Sequence, residues 1–380
     1  MTSFSQKSTT MDIVIRNFMR LLRSGAFEDK ERIEPMSPWK WNLLYQLSLF
    51  HGVQALVFDG IQSRQGNEFF LNIPQDQMDR WRETTLQVEE YNKTLNTNIA
   101  ELLSILSRHQ LRPILFKGQA LSTLYPNPLH RLGVDCDIYY PYTPQADKAD
   151  AWAHENGSEW NDTEKFILQY KWKSIMVENH RCIQRLTNML LNKRLQAIND
   201  GEIRCCDSTY VYINEERIET LPPTLNMLNV IIRIARYILN DGISLRQIVD
   251  LGIMLRTIGD RIDYVKLQQW IEDLKLERMA HLEGIILMKL FNFAEEELPF
   301  LTPQQFQPGD TIINDIFQLR DKHSNDWFFT QGENIFVTAT NSSAMMWHMK
   351  HSARYFKYYP SETVTNFFAS LAYSLSHIEE

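Results

Sequence analysis

From about residue 11 to residue 110, apolar side chains return at three- and four-residue spacings, the signature of helices with one buried face. Ile13, Phe18, Leu21 and Leu22 form one such face, and residues 39–50 and 53–61 continue the pattern. The charged run Glu28-Asp29-Lys30-Glu31-Arg32 between them reads as a solvated connection, and residues 62–74 as a second loop. Over residues 76–110, Met78, Trp81, Val88, Leu95, Ile99, Leu102 and Leu106 keep near-helical spacing with no glycine or proline, which predicts one long helix. Arg80 and Arg82 on that helix are expected at the surface, where most arginines lie.

The period shortens at residue 111. Residues 111–116 make a short apolar run, residues 134–140 alternate, and residues 165–170 and 173–178 are rich in aromatic and branched side chains. These, with the alternating run at 209–213, predict strands. Helices are expected between them at 119–125, 145–155 and 185–197, the first ended by Pro126 and Pro128. Beyond Pro222 the helical period returns: 225–239, apolar nearly all round and therefore buried, then a helix from an N-cap at Ser244 to 257, then 264–274 and 278–293. A loop at 299–308 and a helical, aromatic-rich tail at 343–378 follow. The predicted class is α+β, helical overall, with a mixed β-sheet core: 1–110 helical, 111–221 α/β, 222–380 helical.

Composition narrows the partners more than the fold. The 380 residues are 44% hydrophobic and 23% charged, an ordinary globular balance. A net charge of −8 gives no global attraction to nucleic acid or to an anionic membrane, so neither is expected as a partner. The N-terminus lacks the apolar core of a signal peptide, no run is long enough to span a bilayer, and four cysteines in so long a chain suit a reducing compartment. A cytoplasmic location is expected. Cys205-Cys206 lacks zinc-ligand spacing, and no nucleophile-elbow sequence supports serine catalysis.

The chemistry gathers between residues 111 and 182. Lys117-Gly118 ends a strand and opens a helix, a corner that brings an ammonium and backbone N–H groups to an anion such as phosphate. On the strand that follows, Asp135, Asp137 and Tyr139 share one face while Val134, Cys136 and Ile138 share the other. Two carboxylates held together repel unless a cation lies between them, and Mg²⁺ is the simplest hard cation for oxygen ligands. An isolated Asp-x-Asp is more often a solvent-facing strand edge. Its place after the Lys-Gly corner, with an acidic strand downstream, favours a metal site.

These residues resemble the uncharacterised nucleotidyltransferase family of the DNA-polymerase-β-like (minimal nucleotidyltransferase) superfamily. The resemblance is carried by Lys117-Gly118, Tyr125-Pro126, Arg131, Asp135-x-Asp137 and the apolar–acidic–x–His run ending in Glu178 and His180; it extends loosely to Arg246 and Asp250. It implies a nucleotidyltransferase-like core that moves a nucleoside monophosphate from an NTP, ATP first among them, to a hydroxyl of a small molecule or a protein. Asp135, Asp137 and Glu178 would be the catalytic carboxylates and the ligands of one or two Mg²⁺ ions. Lys117, Gly118, Arg131 and His180 would bind nucleotide and phosphate, with pairing to Asp135 the other option for Arg131. Glu164 and Asp207 remain open as the third carboxylate. The wider superfamily has Gly-Ser where this chain has Lys117-Gly118, and a glycine directly before the first Asp, where Val134 stands here. A non-catalytic nucleotide-sensing or protein-interaction module is therefore the alternative, and a toxin-like transferase acting on RNA or protein a third reading.

Overall fold

The computed structural model describes residues 12–64, 72–164, 166–240, 242–301, 311–317, 353–366 and 368. The chain forms two units, Met1–Gln87 and Val88–Glu380, and the boundary falls inside the long helix.

In the first unit, α1 (Ile13–Phe27), α2 (Pro38–Phe50) and α3 (Gln54–Gln62) pack with the first turns of α4 (Gln75–Arg108). α1 and α3 touch backbone to backbone because glycine stands at both contact points. A Cβ on Gly25 would come within 1.8 Å of the Leu56 carbonyl oxygen, and one on Gly60 within 2.0 Å of that of Leu21. The charged run after α1 is exposed or half-buried, as a solvated connection should be, and that helix also clasps it: Arg23 pairs with Asp29 and Glu31, while Arg16 and Arg20 grip Glu34 just beyond the run. Arg80 lies over the Tyr45 ring and Arg82 pairs with Asp79, so both serve the surface as expected.

Among the described residues, the second unit is built on seven strands in the order β3-β4-β5-β2-β1-β7-β6. They are β1 (Ile114–Phe116), β2 (Cys136–Tyr139), β3 (Ser158–Glu164), β4 (Ile167–Trp172), β5 (Ile175–His180), β6 (Thr209–Ile213) and β7 (Glu216–Thr220). Central β2 runs antiparallel to β1 and parallel to β5, which makes the sheet mixed. One face carries Leu115, Cys136, Ile138, Tyr170 and Val177, and it buries them against Leu95, Ile99, Leu102 and Leu106 of α4 and the alanine-rich side of α6 (Thr143–Asn156). Two short pieces join β1 to β2: the single turn α5 (Gly118–Ser122) and a 3-10 turn at Pro128–His130. Helices α7 (Met189–Cys205), α8 (Pro223–Asn240), α9 (Leu245–Ile258), α10 (Tyr264–Asp273), α11 (Glu277–Phe291) and α12 (Thr311–Phe317) belong to the same unit. α8 is buried on nearly every side, as its all-round apolar sequence requires, and Ser244 opens α9 with Gln247 accepting from its backbone N–H at 3.0 Å.

The α+β class stands as expected, with differences of detail. β3 and β7 are strands the pattern did not announce, since Ser-Glu-Trp-Asn and Glu-Arg-Ile-Glu-Thr are too polar to alternate against a core. Asn214 and Glu215, which turn β6 into β7, both take positive φ (48° and 67°), a tight hairpin without the usual glycine. α7 starts four residues later than expected, where the Asn188 side chain accepts from the N–H groups of Leu190 and Leu191. Most of the expected 299–308 loop and of the 343–378 tail lies outside the described residues; 353–355 and 360–366 are helical.

Candidate active site

The sheet register sets four side chains in a row on the face opposite the α4 core. Phe116 on β1 lies beside Asp137 on β2, Asp137 beside Glu178 on β5, and Glu178 beside Gln169 on β4. Parallel pairing of β2 and β5 thus brings together two carboxylates that are 41 positions apart. His180, two residues past Glu178, lies on the same face, and its ring stands edge-on to Phe116 at 5.0 Å. Ligand atoms of Asp137, Glu178 and His180 all lie within 4.8 Å of one another.

Each of these buried groups is compensated. His180 Nε2 sits 2.9 Å from Asp137 Oδ1 and 3.0 Å from Glu178 Oε2. An imidazole nitrogen between two carboxylates must carry a proton and donate. Burial and the nearby Lys117 charge push the His180 pKa down, but its bonds to the two acids leave it raised overall. The Lys117 ammonium reaches Asp137 Oδ1 at 2.6 Å, and Gln169 donates to Glu178 Oε1 at 2.7 Å. Burial alone would raise the Asp137 pKa; Lys117 and His180 outweigh it and hold this carboxyl far below the usual range. Lys117 adopts φ 58° and ψ −137°, a backbone conformation that L-residues rarely take. Strain of this kind persists where the surrounding structure holds it, and it gathers at functional sites.

Asp135 precedes β2, on a segment that α4 clamps in place. The buried Asn92 amide donates to the carbonyls of Leu129 and Arg131 at 2.7 and 2.9 Å and accepts from the Gly133 N–H at 3.2 Å. The Tyr91 hydroxyl donates to the Val134 carbonyl at 2.7 Å, and His130 meets Glu89 at 2.9 Å. This contact explains the early glycine: a Cβ on Gly133 would press within 2.7 Å of the Asn92, Gln119 and Leu95 side chains. Asp135 is half-buried. Burial first, then the charges of Asp137 and Glu178, push its carboxyl up to about 7.

Arg131 makes a contact other than the two expected of it. Its guanidinium forks onto Asp250 of α9 at 2.7 and 2.8 Å, where Tyr125 and Arg233 of α8 also converge. Both partners are buried, and burial favours the pair closing on itself over reaching outward. The Asp250 carboxyl is lowered by Arg131 despite its burial. Arg246, one turn before Asp250 on α9, donates to the Leu132 carbonyl at 3.0 Å. Gly118 opens a helix of only five residues, and the Lys117 ammonium lies on a carboxylate instead of facing an open anion site.

The expected carboxylates therefore separate. Asp137 and Glu178 stand together, His180 joins them, and Asp135 lies to one side on the incoming loop. Of the other acids considered, Asp207 is exposed ahead of β6, and Glu164 ends the outer strand β3. The donor set suits a divalent cation: Asp137 and Glu178, two buried carboxylates beside Lys117 and His180, offer hard oxygen ligands, and the imidazole, on giving up the proton it donates to them, adds a nitrogen that Mn²⁺ or Zn²⁺ accepts more readily than Mg²⁺. Sequence pattern alone did not single out Gln169, Asn92 or Tyr91. Period-two spacing puts Gln169 on the right face of its strand, but nothing local marks the helix residues.

Compared with known proteins, no curated protein matches the chain. A crystal structure of an antigenic nucleotidyltransferase-like protein from Paracoccidioides brasiliensis is similar at 14% identity, over 52% of this chain and 92% of that one, with a TM-score of 0.34. Among the described residues, no helix is long and apolar enough to cross a membrane. One family model matches residues 37–292, a range that takes in every strand among the described residues and the Lys117, Asp137, Glu178, Arg131 and Asp250 positions. The chain belongs to the uncharacterised nucleotidyltransferase family.

Proposed function

We propose that this protein is a metal-dependent nucleotidyltransferase that moves a nucleoside monophosphate from an NTP to a hydroxyl acceptor. The observation that carries the reading is the register pair Asp137–Glu178, two buried acids side by side on a sheet face with the His180 imidazole between them. In the reaction the acceptor oxygen forms a bond to the α-phosphorus, the α–β phosphoanhydride bond breaks, pyrophosphate leaves, and the hydroxyl proton passes to a base. Such transfer depends on positioning and charge neutralisation more than on covalent help from the protein. Asp137 and Glu178 would hold a divalent cation, Mg²⁺ or Mn²⁺, which when bound neutralises phosphate charge and acidifies the acceptor hydroxyl. Lys117 then has two stations, Asp137 and a phosphate oxygen, and its strained backbone keeps it within reach of the first. His180 fixes the two carboxylates in one orientation. Asp135, on the clamped loop, is the remaining acid available to the acceptor side.

The test is NTP binding by calorimetry with Mg²⁺, with Mn²⁺ and with chelator, on wild type, Asp137→Asn and Glu178→Gln, followed by a pyrophosphate-release assay. Metal-dependent binding that both variants lose, with pyrophosphate released when an acceptor is supplied, is the expected result. Wild type that binds no NTP under any of these conditions would overturn the reading.

A further inference from the structure

On the opposite face of the sheet, packed against α4 and α6, the strands that carry the acidic pair also bury polar atoms that the core does not satisfy. Cys136 on β2, Val177 on β5 and Tyr170 on β4 lie in one row of the register. Asn179 stands two residues past Val177 on that face, and Tyr140 continues β2, its N–H donating to the His180 carbonyl at 3.2 Å. Tyr140 and Tyr170 are 1% and 0% exposed, yet neither hydroxyl has a hydrogen-bond partner among the described residues. The buried Asn179 amide is half satisfied: its nitrogen donates to Asp150 of α6 at 3.1 Å, and its oxygen has no partner among them. Asp150 links the three side chains, since it holds Asn179 and acts electrostatically on both phenols.

The orphaned atoms define what could satisfy them. Burial first, then the neighbouring Cys136 and Asp150, pushes both phenols well above their usual range, so each keeps its proton and remains a donor. Asn179 Oδ1 is an acceptor. No ion is called for, because the Asp150 carboxylate already accepts from Asn179 and from Arg181. Water accepts two hydrogen bonds and donates two, and a buried water makes about three on average to groups left unpaired by the protein. Two phenolic donors and one amide acceptor are such a set. Without it, each hydroxyl would carry the cost of desolvation with no bond in return, and phenylalanine would be the more stable residue at both positions.

We propose that Tyr140, Tyr170 and Asn179 hold one long-lived internal water, which braces β5 from behind Glu178 and His180. Asn179 lies between those two residues, so a bond to its side chain restrains the strand that presents them. The test is the deuteron and oxygen-17 relaxation dispersion of water, which registers internal waters by their residence times. It is measured on the full-length protein as wild type, Tyr140→Phe, Tyr170→Phe and the double variant, with urea midpoints and hydrogen exchange alongside. The dispersion amplitude should fall by the equivalent of one water molecule in the double variant. Each single variant should lower the urea midpoint, and exchange in the double variant should quicken in β5 while β6 stays unchanged. Should the double variant fail to fold by circular dichroism, the single variants carry the test, each expected to shorten the residence time of that water. Dispersion that survives loss of the hydroxyls overturns the proposal, and so do phenylalanine variants with a raised urea midpoint, since the hydroxyls would then be dry. Lost dispersion with exchange unchanged in β5 overturns the brace.

Discussion

Glu283 on α11 is fully buried, and neither carboxyl oxygen has a hydrogen-bond partner. Burial raises its pKa well above the ordinary value, so the folded state keeps the acid protonated where the unfolded chain ionises it. Above the unfolded pKa the unfolded state therefore binds fewer protons, and stability falls as pH rises, by about 1.4 kcal/mol per pH unit until the folded pKa is reached. Glu283→Met keeps the volume and removes the ionisation. It should raise the melting temperature, and by more at pH 8 than at pH 5; an equal gain at both pH values would sink the idea. Gly133 is constrained in another way, by three side chains that leave no room for a Cβ. Gly133→Ala should cost about 1–3 kcal/mol, the usual range for overpacking, read as a shift in urea midpoint at unchanged slope.

Helices and strands convert such local constraints into a site. Asn92 is one residue of α4, yet it holds three backbone groups of the segment that delivers Asp135. Asn92→Ala strands those groups and should destabilise by about 2–4 kcal/mol, at 1–3 kcal/mol for each buried group left unpaired but partly relaxed. It should also weaken metal-dependent NTP binding, while Asn98→Ala, farther along the same helix and bonded to Ser174, should leave that binding unchanged. The sheet face was legible in the sequence because β2 and β5 each alternate: Asp137 opposite Cys136, Glu178 opposite Val177, so both acids could be assigned to one side before any pairing was known. Their adjacency was not legible, since it depends on parallel register between segments 41 residues apart. The same holds for Arg131, whose partner is 119 residues away on α9 and invisible to any local period. β7 was missed because its hairpin uses Asn214 and Glu215 at positive φ in place of a glycine.

Across the whole molecule, the two units carry different titratable burdens, and this allows them to be perturbed separately. His51 in the first unit is fully buried beside Phe18 and Phe50, and burial pushes its pKa down to about 3. The folded state keeps it neutral while the unfolded chain takes up a proton below its ordinary pKa of 6.5. That unit should accordingly lose about 1.4 kcal/mol for each pH unit between roughly 6.5 and 3. The proposed cation site lies wholly in the second unit, where a ligand at 100 times its dissociation constant would stabilise by about 2.7 kcal/mol. Hydrogen exchange read by mass spectrometry separates the two responses peptide by peptide. Lowering the pH from 7 to 5 should reduce protection in α1 and α3, with His51→Phe abolishing the loss. Adding Mn²⁺ or Mg²⁺ should increase protection in β2 and β5, with Asp137→Asn abolishing the gain. Metal protection that appears in α1 and α3, or survives Asp137→Asn, would place the cation somewhere other than the Asp137–Glu178 pair.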